Sequence, residues 1–344
     1  MAILTGSLPM LPAAAANRRG SGPQENAPSV VALGGGHGLS SSLSALRLLT
    51  SELTAVVTVA DDGGSSGKLR KELGVLPPGD LRMALAALCD DTDWGRTWRD
   101  VMQHRFTSRH GEEGSLDNHA LGNLLIVTLW ELLGDPVAGL QWAGALLGAR
   151  GRVLPMASVP LTIEGDVLSE VDGTLRLRTV SGQSQLAVAG SAGNVNNVRL
   201  LPAGAPACVD ALTAVELADW VILGPGSWYT SVLPHLLLPE LRDALCSTTA
   251  KRCLTMNLSN ETKETVGMSA VDHLEVIRRY APEFTVDVVI ADPAVIGDHR
   301  AEFVAAVAEM GGRAVLGKVG SSTGKPVHDP LRLATAFHDM FGEN

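Results

Sequence analysis

Residues Ser29–Leu49 read SVVALGGGHGLSSSLSALRLL, and the fold depends on how this stretch is parsed. The apolar run Val30–Leu33 suits a short strand buried on both faces. Gly34, Gly35, Gly36 and Gly38 then make a loop reaching Ser40, and Leu43, Leu46 and Leu49 recur on the inner side of a helix. LTAVVTV, Leu53–Val59, is the next buried strand. The opening is therefore a β-α-β unit, for which a right-handed parallel crossover is expected.

Working outward, WVILG from Trp220, RCLTM from Arg252, VDVVI from Val286 and RAVLG from Arg313 supply further strands, with helical stretches between several of them. The predicted fold is α/β: one Rossmann-like, doubly wound, mainly parallel sheet. A helical insertion is expected over 80–150, with Gly122–Gly134 as a core helix. A small antiparallel β insertion is expected over 153–200, where VDGT at Val171–Thr174 offers an Asp-Gly turn. Residues 1–28 lack a hydrophobic period and read as a disordered tail, which leaves 29–344 as one domain.

Composition narrows the function classes. The chain has 344 residues, 45% of them hydrophobic but only 4% aromatic, which fits a core of Val, Leu and Ala. A net charge of −10 argues against general affinity for nucleic acid or an anionic membrane, so any anion must be held locally. Cys89, Cys208, Cys246 and Cys253 are scattered without metal or disulfide spacing. No apolar run approaches the roughly 20 residues of a membrane span, and the start lacks a basic secretion signal. A cytoplasmic protein without membrane insertion is expected.

Three turns carry the chemistry. In the first, Gly35, Gly36, His37, Gly38, Leu39 and Ser40 let backbone approach a ligand at a helix start, where N–H groups favour an anion. Neither the dinucleotide pattern nor the P-loop pattern is met, since Leu39 stands where a third glycine belongs and no Lys follows Gly38. The second turn follows the second strand in VTVADDGGSSGKLRKELGVLPPGD, Val57–Asp80. Asp61 and Asp62 can accept ribose hydroxyls or hold a divalent ion, Gly63, Gly64, Ser65 and Ser66 offer donors, and Lys68 and Arg70 add positive charge. A plain helix start capped by Ser66 is the alternative. The third turn, LGPGSWYTSVLP from Leu223, sets Gly224, Pro225 and Gly226 before the hydroxyls of Ser227, Thr230 and Ser231. Helix capping alone would also produce this pattern. If all three lie at one sheet edge, they enclose a diphosphate.

The runs GGGHGLS, VTVADDGGSSGKLRKEL, PPGDLR, QHRF, HALGNLL, GRVLP, LGPGSWYTSVLP and SAVDHL resemble the YvcK family of gluconeogenesis factors (UPF0052). That family is similar to the CofD 2-phospho-L-lactate transferases. The resemblance runs in order from Val30 to about Phe337. It implies a Rossmann-like fold, a UDP-sugar ligand of the UDP-N-acetylglucosamine kind, and a role in carbon-source-dependent cell shape and peptidoglycan regulation. A protein partner in cell-wall regulation and a homo-oligomeric state are the accompanying expectations. The resemblance also brings His119, Asn123 and Arg332 into the set of ligand residues.

Departures from the family pattern are equally specific. His37 stands where many relatives have Thr, Lys68 replaces Arg, and Met83 replaces Asn. Around NLSNETKETVGMSAVDHL, Asn260, Glu261, Val266 and Met268 replace a Thr-Gln pair, an Asp and a ligand-binding Tyr. Losing a ring and a phenol is expected to weaken or alter ligand preference.

Two readings follow. In the favoured one the chain is a sugar-nucleotide sensor that needs no activated nucleophile. In the other it is a CofD-like transferase of a phospho-lactyl type group, with Asp61 and Asp62 holding Mg²⁺ and the glycine turns stabilising phosphate charge; a NAD-binding dehydrogenase ranks third. His119 and His104 are read as hydrogen-bonded structural residues before general bases. The basic and aromatic run Trp94–His110 is read as a solvated helix face, with Arg105 in reach of a ligand.

Overall fold

The computed structural model describes residues 27–108, 114–171, 174–190, 194–259, 264–323 and 325–342. The expected tail therefore lies almost wholly outside the described residues, as do the Asp172-Gly173 turn and Asn260 and Glu261.

The chain opens with β1 (Val30–Gly34), α1 (Gly36–Leu46) and β2 (Leu53–Val57). β1 is buried along its whole length because helices cover both faces of a parallel sheet. The helix begins earlier than the glycine run suggests, at Gly36, and Leu49 lies beyond its end. After β2 come α2 (Gly64–Leu73), α3 (Pro78–Leu88), α4 (Asp93–Gln103), α5 (Leu121–Leu133) and α6 (Pro136–Leu147), the expected helical insertion. α3 packs on α1 and α5 on α6. α5 is half-buried: Ile126, Val127 and Trp130 face inward, whereas Leu132 is 76% exposed. The core-helix expectation fails on that outer face.

β3 (Arg152–Pro155) pairs parallel with β2 and forms the edge of the main sheet, so the antiparallel insertion begins after it and not at 153. The insertion itself comprises β4 (Thr162–Val171), β5 (Thr174–Ser181), α7 (Gln183–Gly190) and β6 (Asn194–Leu201). β4 is central in the order β5-β4-β6, and Val171 pairs with Thr174 across the expected turn. Leu186 of α7 is fully buried against Gly165 of β4 in this layer.

The chain then returns to the main sheet through α8 (Val209–Glu216) and β7 (Trp220–Leu223). A π-helical turn (Trp228–Val232), α9 (Pro234–Leu237) and α10 (Pro239–Ser247) lead to β8 (Lys251–Thr255). α11 (Ala270–Tyr280), β9 (Val288–Ala291), α12 (Pro293–Ile296), α13 (Arg300–Glu309), β10 (Arg313–Leu316) and α14 (Pro330–Gly342) complete it. The seven-stranded sheet runs β10-β9-β8-β7-β1-β2-β3, with every pairing parallel. Strand order reverses between β1 and β7, which places a crevice outside their carboxyl ends. No described helix is long and apolar enough to cross a membrane.

Candidate functional site

The end of β1 is tied on both sides. Thr58 N–H, after β2, donates to Gly34 O at 3.0 Å, and Gly224 N–H, after β7, donates to Leu33 O at 3.1 Å. Ser42 Oγ on α1 donates to Gly224 O at 3.0 Å in a buried contact. These bonds draw the first and third turns together. A Cβ on Gly38 would lie 2.1 Å from Pro225 O, so only glycine permits this approach. At Gly35 a Cβ would meet Asp80 Oδ2 at 2.5 Å, Thr58 Cγ2 at 2.6 Å and Ser231 Oγ at 3.3 Å. Three segments thus meet at one glycine.

A cavity of about 280 Å³ opens beside this junction, lined by His37, Gly38, Ser41, Pro225, Gly226, Ser227, Asn257 and His328 among others. Asn257 grips Gly226 through both backbone groups: Gly226 N–H donates to its Oδ1 at 2.9 Å, and its Nδ2 donates to Gly226 O at 2.8 Å. His328 is buried, and burial lowers its imidazole to about 4, so it is neutral near pH 7. Its Nε2 is buried at the cavity wall without a hydrogen-bond partner among the described residues. Neither Asn257 nor His328 was singled out in the sequence, because each lies on a connection with no glycine signature.

The second turn meets the first through Asp80. α2 starts without a side-chain cap, so Ser66 is not the capping residue the alternative reading required. Ser66 instead accepts from Gly79 N–H at 3.0 Å, which sets the start of α3 against Asp61. Asp61 accepts from Gly63 N–H at 2.9 Å and is raised above the usual carboxylate range by burial. Asp80 hydrogen-bonds the Gly36 amide and is raised to about 7, first by burial and then by the neighbouring Asp61. A pair of desolvated carboxyls therefore underlies the glycine turn. Asp80 was legible only as the last residue of a motif, since its partner Gly36 is distant in the chain.

Several expected ligand residues are engaged elsewhere. Asp62 accepts from Ser184 N–H at 2.9 Å and Ser184 Oγ at 2.8 Å, at the start of α7. Arg70 donates to Thr162 Oγ1 at 2.8 Å, and Lys68 is exposed on α2. Thr230 Oγ1 donates to Glu264 Oε1 at 2.6 Å, while Tyr229 N–H donates to Oε2 at 3.2 Å. Burial raises Glu264 as well. His119 Nδ1 lies 3.1 Å from Ser65 Oγ, which also accepts from Asn123 Nδ2 at 3.0 Å. Asn123 Oδ1 in turn accepts from Arg82 Nε at 2.9 Å. His119 and Asn123 therefore brace the second turn from behind. Arg332 donates to Gly320 O at 2.7 Å, against the loop whose Gly320 packs near Leu258 at the cavity rim.

Val266 and Met268 line a separate cavity of about 400 Å³ with Tyr229, Glu264 and Asp272. There Tyr229 Oη approaches Met268 Sδ at 3.8 Å. Among the described residues no group of three or more His, Cys, Asp or Glu is placed to hold a metal. All four cysteines are free, and burial raises Cys89 to about 11 and Cys253 to about 12, which leaves these thiols unreactive.

A parallel sheet that reverses order beside two interlocked glycine turns defines a doubly wound α/β protein with a ligand crevice at its switch point. The chain belongs to the CofD family: the model described as 2-phospho-L-lactate transferase CofD matches residues 30–310. It is 50% identical over 312 residues to a Mycobacterium leprae protein described as “Putative gluconeogenesis factor”, covering 90% of this chain and 85% of that one. It is 38% identical to the gluconeogenesis factor of Halalkalibacterium halodurans, covering 78% and 79%. A crystal structure of a UPF0052 family member from Bacillus halodurans superposes with a TM-score of 0.76 at 33% identity, covering 90% of this chain and 98% of that one.

Proposed function

We propose that this chain is a gluconeogenesis factor that binds a nucleoside-diphosphate sugar of the UDP-N-acetylglucosamine kind and relays occupancy to a protein partner in cell-wall regulation. The observation that carries this reading is the meeting of Thr58, Asp80 and Ser231 at Gly35 beside an open cavity. The diphosphate lies against the first turn of α1, at His37 and Gly38, where N–H groups and the helix dipole favour negative charge, with the Ser227 N–H of the third turn beside it. Asn257 holds Gly226 in place, and neutral His328 offers a ring nitrogen without adding charge. A sensor needs no activated nucleophile.

The second reading, a transferase acting on a nucleotide-activated donor, is favoured by the Asp61–Asp80 pair. Two adjoining carboxyls suit a divalent cation, and Mg²⁺ takes one or two carboxylates together with phosphate oxygens and water. Asp61 and Asp80 would hold it, with Asp62 committed to Ser184. Bound Mg²⁺ would neutralise phosphate charge during transfer.

Calorimetric titration with UDP-N-acetylglucosamine, with and without Mg²⁺, followed by measurement of nucleotide consumption, separates the two. Saturable binding without turnover supports the sensor. Turnover requiring Mg²⁺ and an acceptor replaces it with the transferase, and absence of binding refutes the sugar-nucleotide sensor. The physiological part is tested by deleting the gene and comparing cell shape on gluconeogenic and glycolytic carbon sources.

A further inference from the structure

On the other side of His37 a second cleft, of about 540 Å³, opens between α1, α3 and α4. Arg47, Arg82, Arg99 and Arg105 line it, with Asp100 the acid among its lining residues. Two of the four share one carboxylate: Arg47 and Arg99 both close on Asp91, at 3.0 and 3.3 Å. Arg82 and Arg105 form no ion pair among the described residues. Arg82 Nε donates to Asn123 and Arg105 Nη1 donates to Asn118 O at 2.7 Å, both neutral acceptors.

Arg82 is the sharper case. It is 3% exposed, and its Nη1 is buried with no hydrogen-bond partner among the described residues. A buried guanidinium nitrogen without an acceptor pays the full desolvation penalty. Burial first, and then the Arg105 charge, lower Arg82 to about 10. Asp80 and Asp61 offset part of this, but neither makes contact with it as an ion pair, and Asp80 is itself raised to about 7. The group that would satisfy both guanidiniums is an anion entering from the cleft.

We infer that this cleft is a second anion site, distinct from the diphosphate crevice, which takes the phosphate of a small phosphorylated metabolite between Arg82 and Arg105. Phosphate suits two neighbouring guanidiniums because their planar forks match its oxygens. The volume admits a metabolite carrying more than a bare ion. Ser40 Oγ and Ser44 Oγ on the same wall already donate, to Gly36 O at 2.9 Å and Ser40 O at 2.8 Å, so their lone pairs are left to accept from hydroxyls of the ligand. The ligand class is therefore a hydroxylated phosphate monoester. His37 lines both cavities, so the two ligands would lie side by side.

The full chain is titrated calorimetrically with inorganic phosphate, glycerol 3-phosphate and acetate at constant ionic strength. Both phosphates are expected to saturate, glycerol 3-phosphate more tightly, while acetate does not. Arg105→Gln, at an exposed position, should weaken phosphate about tenfold and keep the fold, and Arg82→Lys should weaken it similarly. Arg178→Gln, on the exposed face of β5, controls for net charge and should bind as the parent does. Absence of saturation below roughly 10 mM, parental affinity in Arg105→Gln, or equal binding of acetate overturns the inference. Competitive displacement of phosphate by UDP also overturns it, by placing phosphate in the crevice. Arg105-dependent phosphate binding in a protein that ignores UDP-N-acetylglucosamine upholds this site and removes the sugar-nucleotide reading alone.

Discussion

Replacing Gly38 by Ala tests whether the first and third turns truly interlock. The new methyl would sit 2.1 Å from Pro225 O, 2.5 Å from Pro225 C and 2.7 Å from Gly226 Cα. These are backbone atoms, so no rotamer change relieves the clash, and the turns must part by roughly 1 Å to reach ordinary contact. Overpacking of this kind costs about 1–3 kcal/mol. With an unfolding entropy of about 2.1 cal/mol/K per residue over 344 residues, each kcal/mol is about 1.4 °C, so Tm should fall by about 1.5–4 °C. Parting the turns also lengthens hydrogen bonds to a bound diphosphate; losing one charge-assisted bond, worth about 1.5–3 kcal/mol, weakens binding about tenfold or more. Thermal unfolding and calorimetry with UDP-N-acetylglucosamine read the two effects. The same substitution at Gly144, mid-helix in α6 with Leu85 Cδ2 at 3.7 Å, meets no clash and should stabilise by about 0.5–1 kcal/mol. Equal behaviour of Gly38→Ala and Gly144→Ala would refute the interlock.

The raised Asp80 gives a pH signature. Its folded pKa of about 7 exceeds the ordinary 3.8, so the fold binds the extra proton and stability falls as pH rises between about 4 and 7. Asp80→Asn should flatten that limb of the Tm profile and be the more stable protein at pH 8, by an amount on the order of a few kcal/mol; parallel profiles would clear Asp80. Asn257→Ala frees Gly226 on both sides and should cost UDP-sugar affinity at least tenfold with a smaller loss of stability, read by the same titration. Glu264→Ala strands the Thr230 hydroxyl and Tyr229 amide and should destabilise by about 2–3 kcal/mol in urea, whereas Glu264→Gln, which keeps an acceptor, should cost less. Asn123→Ala removes the shared partner of Arg82 and Ser65, with an expected loss of about 2–3 kcal/mol in the same assay.

The parallel sheet was written locally. Val30–Leu33, Leu53–Val57 and Trp220–Leu223 are unbroken apolar runs because strands covered on both faces need no polar alternation, and glycine turns mark where they end. Arg152–Pro155 was misassigned for a related reason: four residues hold too little pattern to show which sheet they join, and only pairing with β2 decides it. At the site, the sequence marked which turns can approach a ligand, since close backbone approach demands glycine wherever it occurs. It could not tell which of two adjacent acids faces inward. Tertiary structure turns Asp62 to Ser184, brings Asp80 beneath Gly36, ties Thr230 to Glu264 and leaves Arg82 Nη1 without an acceptor among the described residues. Backbone conformation is fixed by neighbours in the chain, whereas the partner of a polar side chain is set by whichever distant element folding delivers to it.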